Sequence, residues 1–337
     1  MTGGFIILFF FDPSTVTGGV RSGLSQCGEA VIPSLFPFLV LSDYLTRSGI
    51  AMKLGGRLNK FSQRLFRLPG CCICVIFMSL IGGYPVGARM AAELYNGGEI
   101  SRSHARRLLV FCFGSGPAFT IGTVGLTMLS CRKCGFILYA SQLISALSVG
   151  VISRFFAKSE QNRAFLTPKK LRTDVIVESV SAATEAMLGM CAWILLFSSL
   201  GGFLLRLAGL GKIFEPLLLM SEVTQGCSFA ARSLPVFLLA PILSWGGFAV
   251  HMQLLPYLKS IGMTLPELWL SRIPCCTVSA IVSRLLFKLF PCEAQVFSTI
   301  SEFTVKAYSV SVPASVAMLL LGMFTVADIG LATERKI

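Results

Sequence analysis

Apolar residues in this chain gather in long, nearly unbroken runs, not at the spacing of an amphipathic helix or a half-buried strand. The runs fall at 27–46, 70–95, 106–129, 135–156, 183–208, 234–258, 270–290 and 308–331. Each approaches the roughly 20 residues that a helix needs to cross the hydrocarbon of a bilayer. The pattern therefore predicts an all-α polytopic membrane protein. Before the first of these runs, Phe5 to Phe11 is a seven-residue apolar run ending at Asp12-Pro13. It is too short to span and lacks the basic start of a signal peptide. It reads as the remnant of a truncated first helix, so 1–26 is taken as a truncated N-terminal segment.

Two of the runs are interrupted by the same signature, Gly82-Gly83-Tyr84 and Gly246-Gly247-Phe248, 164 residues apart (246 − 82). At that offset Gly98 falls on Gly262, Val86 on Val250 and Leu94 on Leu258. Upstream, Glu29-Ala30 matches Glu185-Ala186, with Leu39 on Leu195 and Ser42 on Ser198, at an offset of 156 (185 − 29). Two halves that each carry an acidic helix start and a glycine-broken apolar segment are the mark of an internally duplicated transporter. The halves are 27–156 and 183–331, joined by a basic linker at 157–182 and followed by a short tail at 332–337.

Charge placement turns these runs into a topology. The stretch after the first run carries Arg47, Lys53, Arg57, Lys60, Arg64 and Arg67 with no acidic residue, and the linker carries Arg154, Lys158, Arg163, Lys169, Lys170 and Arg172. Both are expected in the cytoplasm. Three plain crossings between them would put them on opposite sides. If 70–95 dips in and returns, two crossings remain and both stay inside. Gly83 and Pro85 supply the turn, because glycine adopts positive φ and proline ends the preceding helix. Each half then has an odd number of crossings, which inverts the second half relative to the first. The expected fold is two inverted repeats, each with helices plus a glycine-broken re-entrant hairpin. The 206–233 stretch, with three basic and two acidic residues, fits the outer face. Arg132-Lys133 and Arg335-Lys336 also fall outside, against the rule.

Composition agrees with the pattern. Of the residues, 54% are hydrophobic and 13% charged, against about 25% charged in a soluble domain, and mean hydropathy is +0.76. The net charge of +13 sits in loops between apolar runs and lacks interleaved aromatic residues, so nucleic acid is not an expected partner. Of 12 cysteines, most lie inside apolar runs as small hydrophobes. Only Cys131-Arg-Lys-Cys134 has redox or metal-like spacing; two thiols do not complete a zinc site, and ordinary loop cysteines are the expectation.

Candidate chemistry sits at the backbone breaks. Gly83-Tyr84-Pro85-Val86-Gly87, Gly114-Ser115-Gly116-Pro117 and Gly246-Gly247-Phe248 would each expose amides at a half-helix N-terminus, suited to a carboxylate or phosphate. Ser115, Thr120 and Thr123 add hydroxyls. The candidate substrate-binding residues are Gly83, Tyr84, Pro85, Gly87, Ser115, Gly116, Pro117, Thr120, Gly246 and Gly247. Glycines that only permit close helix packing are the competing reading. Glu29 and Glu185 either complement helix dipoles or bind a coupling cation. Arg89 either meets an anionic substrate or snorkels to the interface. His251 is either a packed neutral histidine or a proton-coupling group. No hydrolytic constellation, intramembrane HExxH or phosphate loop is present, so an enzyme is not expected, and no metal or cofactor is called for.

Three motifs in order, Ile32-Pro33-Ser34-Leu35-Phe36-Pro37-Phe38, Gly83-Tyr84-Pro85-Val86-Gly87-Ala88-Arg89, and Arg107-Leu108-Leu109-Val110-Phe111-Cys112 leading into Ser115-Gly116-Pro117-Ala118-Phe119, resemble the YlbJ-type sporulation integral membrane proteins. These carry the nucleoside-recognition Gate domain. The likeness covers nearly the whole chain and is strongest from about 27 to 127. It implies a relation to concentrative nucleoside transporters, with 27–156 and 183–331 as Gate-like repeats. It also implies a part in moving dipicolinate across the outer forespore membrane. By motif position the hairpin tip falls on Gly83 to Gly87 and the discontinuous helix on Ser115 to Pro117. The family often has an Asn-Asn pair before Ser-Gly-Pro, where this chain has Phe113-Gly114.

The expected function is transport of a small polar, anionic solute, dipicolinate or nucleoside-like, by alternating access. The expected partners are the lipid bilayer, the solute and a coupling cation or proton, with a homo-oligomer as a further option. The expected location is a bacterial cell membrane. The alternative is a non-transporting scaffold of a sporulation or envelope complex.

Overall fold

The computed structural model describes residues 12–156, 174–210 and 215–292. The run at 308–331, the tail, Phe5 to Phe11 and most of the linker lie outside them. Helices make up most of the described residues, with no strand among them.

The first is α1 (Pro13–Gln26), started by Asp12, whose carboxylate accepts from the Thr15 amide at 3.2 Å. A π-helical turn at Cys27–Val31 joins it to α2 (Ile32–Arg47). Together they form a 35-residue helix long and apolar enough to cross a membrane. The first run thus extends back to Pro13, beyond its expected start at 27. The chain turns at Gly49 (φ +80°) into α3 (Ile50–Phe66). The all-basic stretch read from charge alone as a loop is therefore mostly an amphipathic helix.

The run at 70–95 becomes two helices, α4 (Cys72–Gly82) and α5 (Tyr84–Asn96), which pack along one another. At 1.5 Å per residue neither reaches the roughly 30 Å of hydrocarbon. Gly83 between them has φ +82° and ψ −168°, a region that essentially only glycine occupies. The run at 106–129 is broken too: α6 (Arg102–Phe111) ends, residues 112–116 run without helix, and a π-type helix follows at Ala118–Met128.

α7 (Arg132–Ser153) returns across the molecule, packing on the π-type helix where Gly125 and Gly135 meet; a Cβ on Gly125 would lie 2.7 Å from the Gly135 Cα. The second half opens with α8 (Ile176–Leu210), against which α1 and α2 both pack. Next come α9 (Glu215–Ser221), α10 (Val223–Ser233), α11 (Leu239–Trp245), α12 (Gly247–Gln253), α13 (Leu255–Ile261) and α14 (Leu265–Leu289). Gly246 and Gly247 both have positive φ (+84° and +83°), so the second glycine signature also breaks its helix. Here, however, α11 and α12 share little packing and Val236–Gln253 together has the length of a span. Unlike α4 and α5, the two pieces do not fold back along each other.

The described residues contain five helical stretches of spanning length and character, including Arg132–Phe156, Ile176–Leu204 and Leu265–Leu289.

Candidate functional site

The breaks found in separate runs converge. A Cβ on Gly83 would sit 3.1 Å from the Gly116 amide nitrogen, so the tip between α4 and α5 touches the break that follows α6. A Cβ on Gly246 would meet the Tyr84 and Phe113 rings at 3.0 and 3.1 Å, and one on Gly247 would meet the Val223 nitrogen at 2.9 Å, where α10 begins. The Tyr84 hydroxyl donates to the Leu243 carbonyl at 2.5 Å, tying the first tip to the helix before Gly246.

A broken helix leaves carbonyls without partners at its C-terminal side. Those of α6 are supplied from the other half of the chain. Arg272, fully buried on α14, donates to the carbonyls of Leu109 (2.7 Å), Phe113 (3.1 Å) and Val110, and its guanidinium stacks 4.5 Å from the Phe113 ring centroid. In the reverse direction, Arg102 on α6 donates to the carbonyls of Ile261 (2.7 Å), the last residue of α13, and Gly262 (2.6 Å), which follows it. Arg107 does the same for the end of α3, donating to Phe66 at 2.6 Å. Several arginines of this basic chain are thus spent on helix ends.

The tips border a cavity of about 1500 Å³. Gly83, Tyr84, Pro85, Gly116 and Thr123 line it, with Glu29, Ser34, Ile194, Glu222, Arg232 and Val250. Of the other expected site residues, Gly87 lies behind the tip against the Cys112 carbonyl. Ser115 and Thr120 are buried and bonded to each other at 2.5 Å, and Ser115 also donates its amide and hydroxyl to the Gln142 side-chain oxygen at 3.1 Å. Pro117, Gly246 and Gly247 stand outside the lining as well. A glutamine from α7 therefore serves the break at which this chain lacks an Asn-Asn pair.

Glu29 sits in the cavity wall within the π-helical turn, accepting from Ser25 at 2.9 Å, whereas Glu185 is exposed on α8 away from the cavity. His251 is fully buried, its Nε2 2.9 Å from the Trp245 carbonyl and its ring packed among Phe113, Trp245 and Phe248. Glu222, which the sequence did not single out, is buried in the wall and caps α10 through the Gln225 amide at 2.9 Å.

Arg89 reaches neither an interface nor the cavity. It is 4% exposed and pairs with Asp43 (2.5 Å, fully buried) and Glu93 (2.9 Å), and donates to the Ala182 carbonyl at 3.1 Å. Arg47 closes on the other oxygen of Asp43 at 2.6 Å and lies 3.7 Å from Glu178. These groups bind α2, α5 and α8 together. Asp43 lies eight residues beyond the cavity residue Leu35 on α2 (43 − 35), and Arg89 four beyond Pro85 on α5 (89 − 85). On α8, Ala182 is eight residues before Met190 (190 − 182). On all three helices the cluster is one to two turns from the cavity, on the side towards basic α3. Asp43 and Glu93 were missed because a lone carboxylate near the end of an apolar run reads as a boundary marker.

Cys131 and Cys134 form a disulfide at the start of α7, and the Cys292 sulfur stands 3.1 Å from that of Cys134. The three sulfurs lie within 4.8 Å of one another. The pair was expected to be ordinary loop cysteines, and the disulfide corrects that expectation; the third thiol arrives only through the packing of α14 on α7.

Spanning helices, broken helices meeting between them and a cavity at the meeting point make this a polytopic all-α membrane protein. No family model matches the sequence, and no solved structure matches it. The chain is similar to the sporulation integral membrane protein YlbJ of Bacillus subtilis, 26% identical over 312 residues that take in 80% of this chain and 76% of that protein. That likeness, over most of both chains, supports the YlbJ-type family.

Proposed function

We propose that the chain is a carrier that moves a small polar, anionic solute across a bacterial cell membrane by alternating access. The observation that carries this is the arrangement of one cavity and one seal on the same helices. The cavity touches the tips at Gly83 and Gly116, and the buried Asp43–Arg89 pair ties α2 to α5 a turn or two further on, where it would act as the barrier. A carrier needs both: a site at the breaks and a barrier that forms and dissolves on one side of it. By the positive-inside rule, basic α3 puts the sealed end towards the cytoplasm.

The wall is largely apolar and carries a few polar groups that would orient a small polar solute. Gly116, Thr123 and Ser34 are among the residues that line it, with Arg21 and Arg232. Glu29 and Glu222 add two carboxylates, so an anionic solute would enter with a cation or proton to offset them. Dipicolinate is the first solute to try, on the strength of the YlbJ-type likeness, and a nucleoside such as uridine the second. If the likeness extends to location, the protein sits in the outer forespore membrane.

The test is accumulation of dipicolinate in cells or spores with and without the protein, with Gly83→Val as a variant held at the same membrane level. The carrier reading expects accumulation that depends on the protein and is lost in the variant. Equal accumulation in all three would leave the scaffold reading in its place.

A further inference from the structure

α3 divides into three faces. The first, Ala51, Gly55, Ser62 and Phe66, is buried against the protein. It is fixed there closely: a Cβ on Gly55 would meet the Cys71 nitrogen at 2.3 Å, Asn59 accepts from the Gly70 amide at 3.0 Å and Ser62 donates to the Pro69 carbonyl at 3.2 Å. The second face holds Leu54, Leu58 and Phe61, on one side of the helix by their spacing of four and three residues. They are 41%, 40% and 57% exposed. The third holds Lys53, Arg57, Lys60 and Arg64, all exposed. Among the described residues no carboxylate pairs with any of these four, and the stretch from Tyr44 to Gly70 contains no acidic residue.

The helix also sits at a defined place. α2, the second part of a membrane-spanning stretch, ends at Arg47, and three residues later α3 begins. Its fixed inner face sets its rotation, so the apolar and basic stripes lie side by side where the chain leaves the bilayer.

We propose that α3 lies in the membrane interface and binds anionic phospholipid. Leu54, Leu58 and Phe61 enter the acyl boundary, and Lys53, Arg57, Lys60 and Arg64 meet the headgroup phosphates. An apolar stripe beside a basic one is what an interfacial helix uses, and the missing carboxylates leave the positive charge for the lipid. Each basic residue near an anionic surface favours binding by roughly fivefold, an effect that screening by salt reduces. This holds whether or not the chain transports anything.

The test uses the full chain reconstituted in nanodiscs of mixed phosphatidylcholine and phosphatidylglycerol. The share of phosphatidylglycerol held next to the protein is read by mass spectrometry, at low and high salt. The expected result is enrichment several-fold above the bulk ratio, falling towards bulk in the quadruple variant K53Q/R57Q/K60Q/R64Q and at high salt. The pair R132Q/K133Q, at the start of α7, is expected to leave it unchanged. Where the quadruple variant fails to fold, a photoreactive benzoylphenylalanine at position 61 in the otherwise unaltered chain decides, with phospholipid as the expected crosslinked product. Undiminished enrichment in a folded quadruple variant, or crosslinks at position 61 to protein alone, overturns the proposal.

Discussion

On top of an apolar core, several arginines tie separate helices by acting on backbone carbonyls or on buried carboxylates. Arg272 is the sharpest case, because one planar group bonds the carbonyls of Leu109, Val110 and Phe113 where α6 stops. Removing it leaves buried acceptors without donors, at a cost of about 1–3 kcal/mol each. Arg272→Met is expected to lower stability by roughly 3 kcal/mol or more, seen as a drop in the thermal midpoint of the purified protein. Arg272→Lys is expected to recover only part, since an ammonium cannot reproduce the guanidinium fork. A midpoint unchanged in Arg272→Met would mean that the carbonyls find other partners. Sequence reading could not reach this role: an arginine in the apolar run 270–290 looks like a charge to be hidden, and its partners lie about 160 residues away (272 − 110 = 162).

Among the elements, the breaks were the legible part. Gly83 followed by Tyr84-Pro85 reads as a turn from composition alone, and the structure places there a backbone conformation reserved for glycine. Gly83→Ala is expected to cost about 1–3 kcal/mol from backbone strain. It also pushes a methyl group to 3.1 Å from the Gly116 nitrogen, so solute flux is expected to fall further than stability does. Measuring both on one preparation separates the two effects; a variant with normal flux would detach the tip from the site. The second signature was legible as a break but not as a different kind of break. Both Gly246 and Gly247 take positive φ, yet α11 continues towards α12 without the antiparallel return of α4 on α5. Helix α3 was hidden for another reason. Six cations without an acid dominate the stretch from Arg47 to Arg67, and its apolar stripe is only a few residues wide.

At the level of the whole molecule, one cavity and one ion cluster share α2, α5 and α8. The runs at 27–46, 135–156, 183–208, 234–258 and 270–290 could be read as spans from hydropathy, because lipid demands long apolar helices. The ion cluster could not, because Asp43, Arg89 and Glu93 meet only after the helices have packed. Breaking a buried pair by removing one partner costs roughly 3–5 kcal/mol. In a carrier that cost falls mainly on the state in which the pair is formed. Asp43→Asn is therefore expected to shift the protein towards opening on the cytoplasmic side. A cysteine placed at Thr123 in the cavity wall should then react faster with a membrane-impermeant maleimide added from that side. Equal labelling with and without the substitution would mean that the cluster is a structural tie only.

Vectorial movement through the cavity is read out by solute uptake into proteoliposomes. Purified full-length protein is reconstituted, labelled dipicolinate and then uridine are supplied outside, and uptake is followed with and without a proton or sodium gradient. A carrier is expected to give saturable uptake of a small polar solute that depends on the protein, rises with a cation gradient and is abolished by Gly83→Val. Uptake no greater than in empty liposomes under every gradient, with the protein folded and inserted, would contradict it.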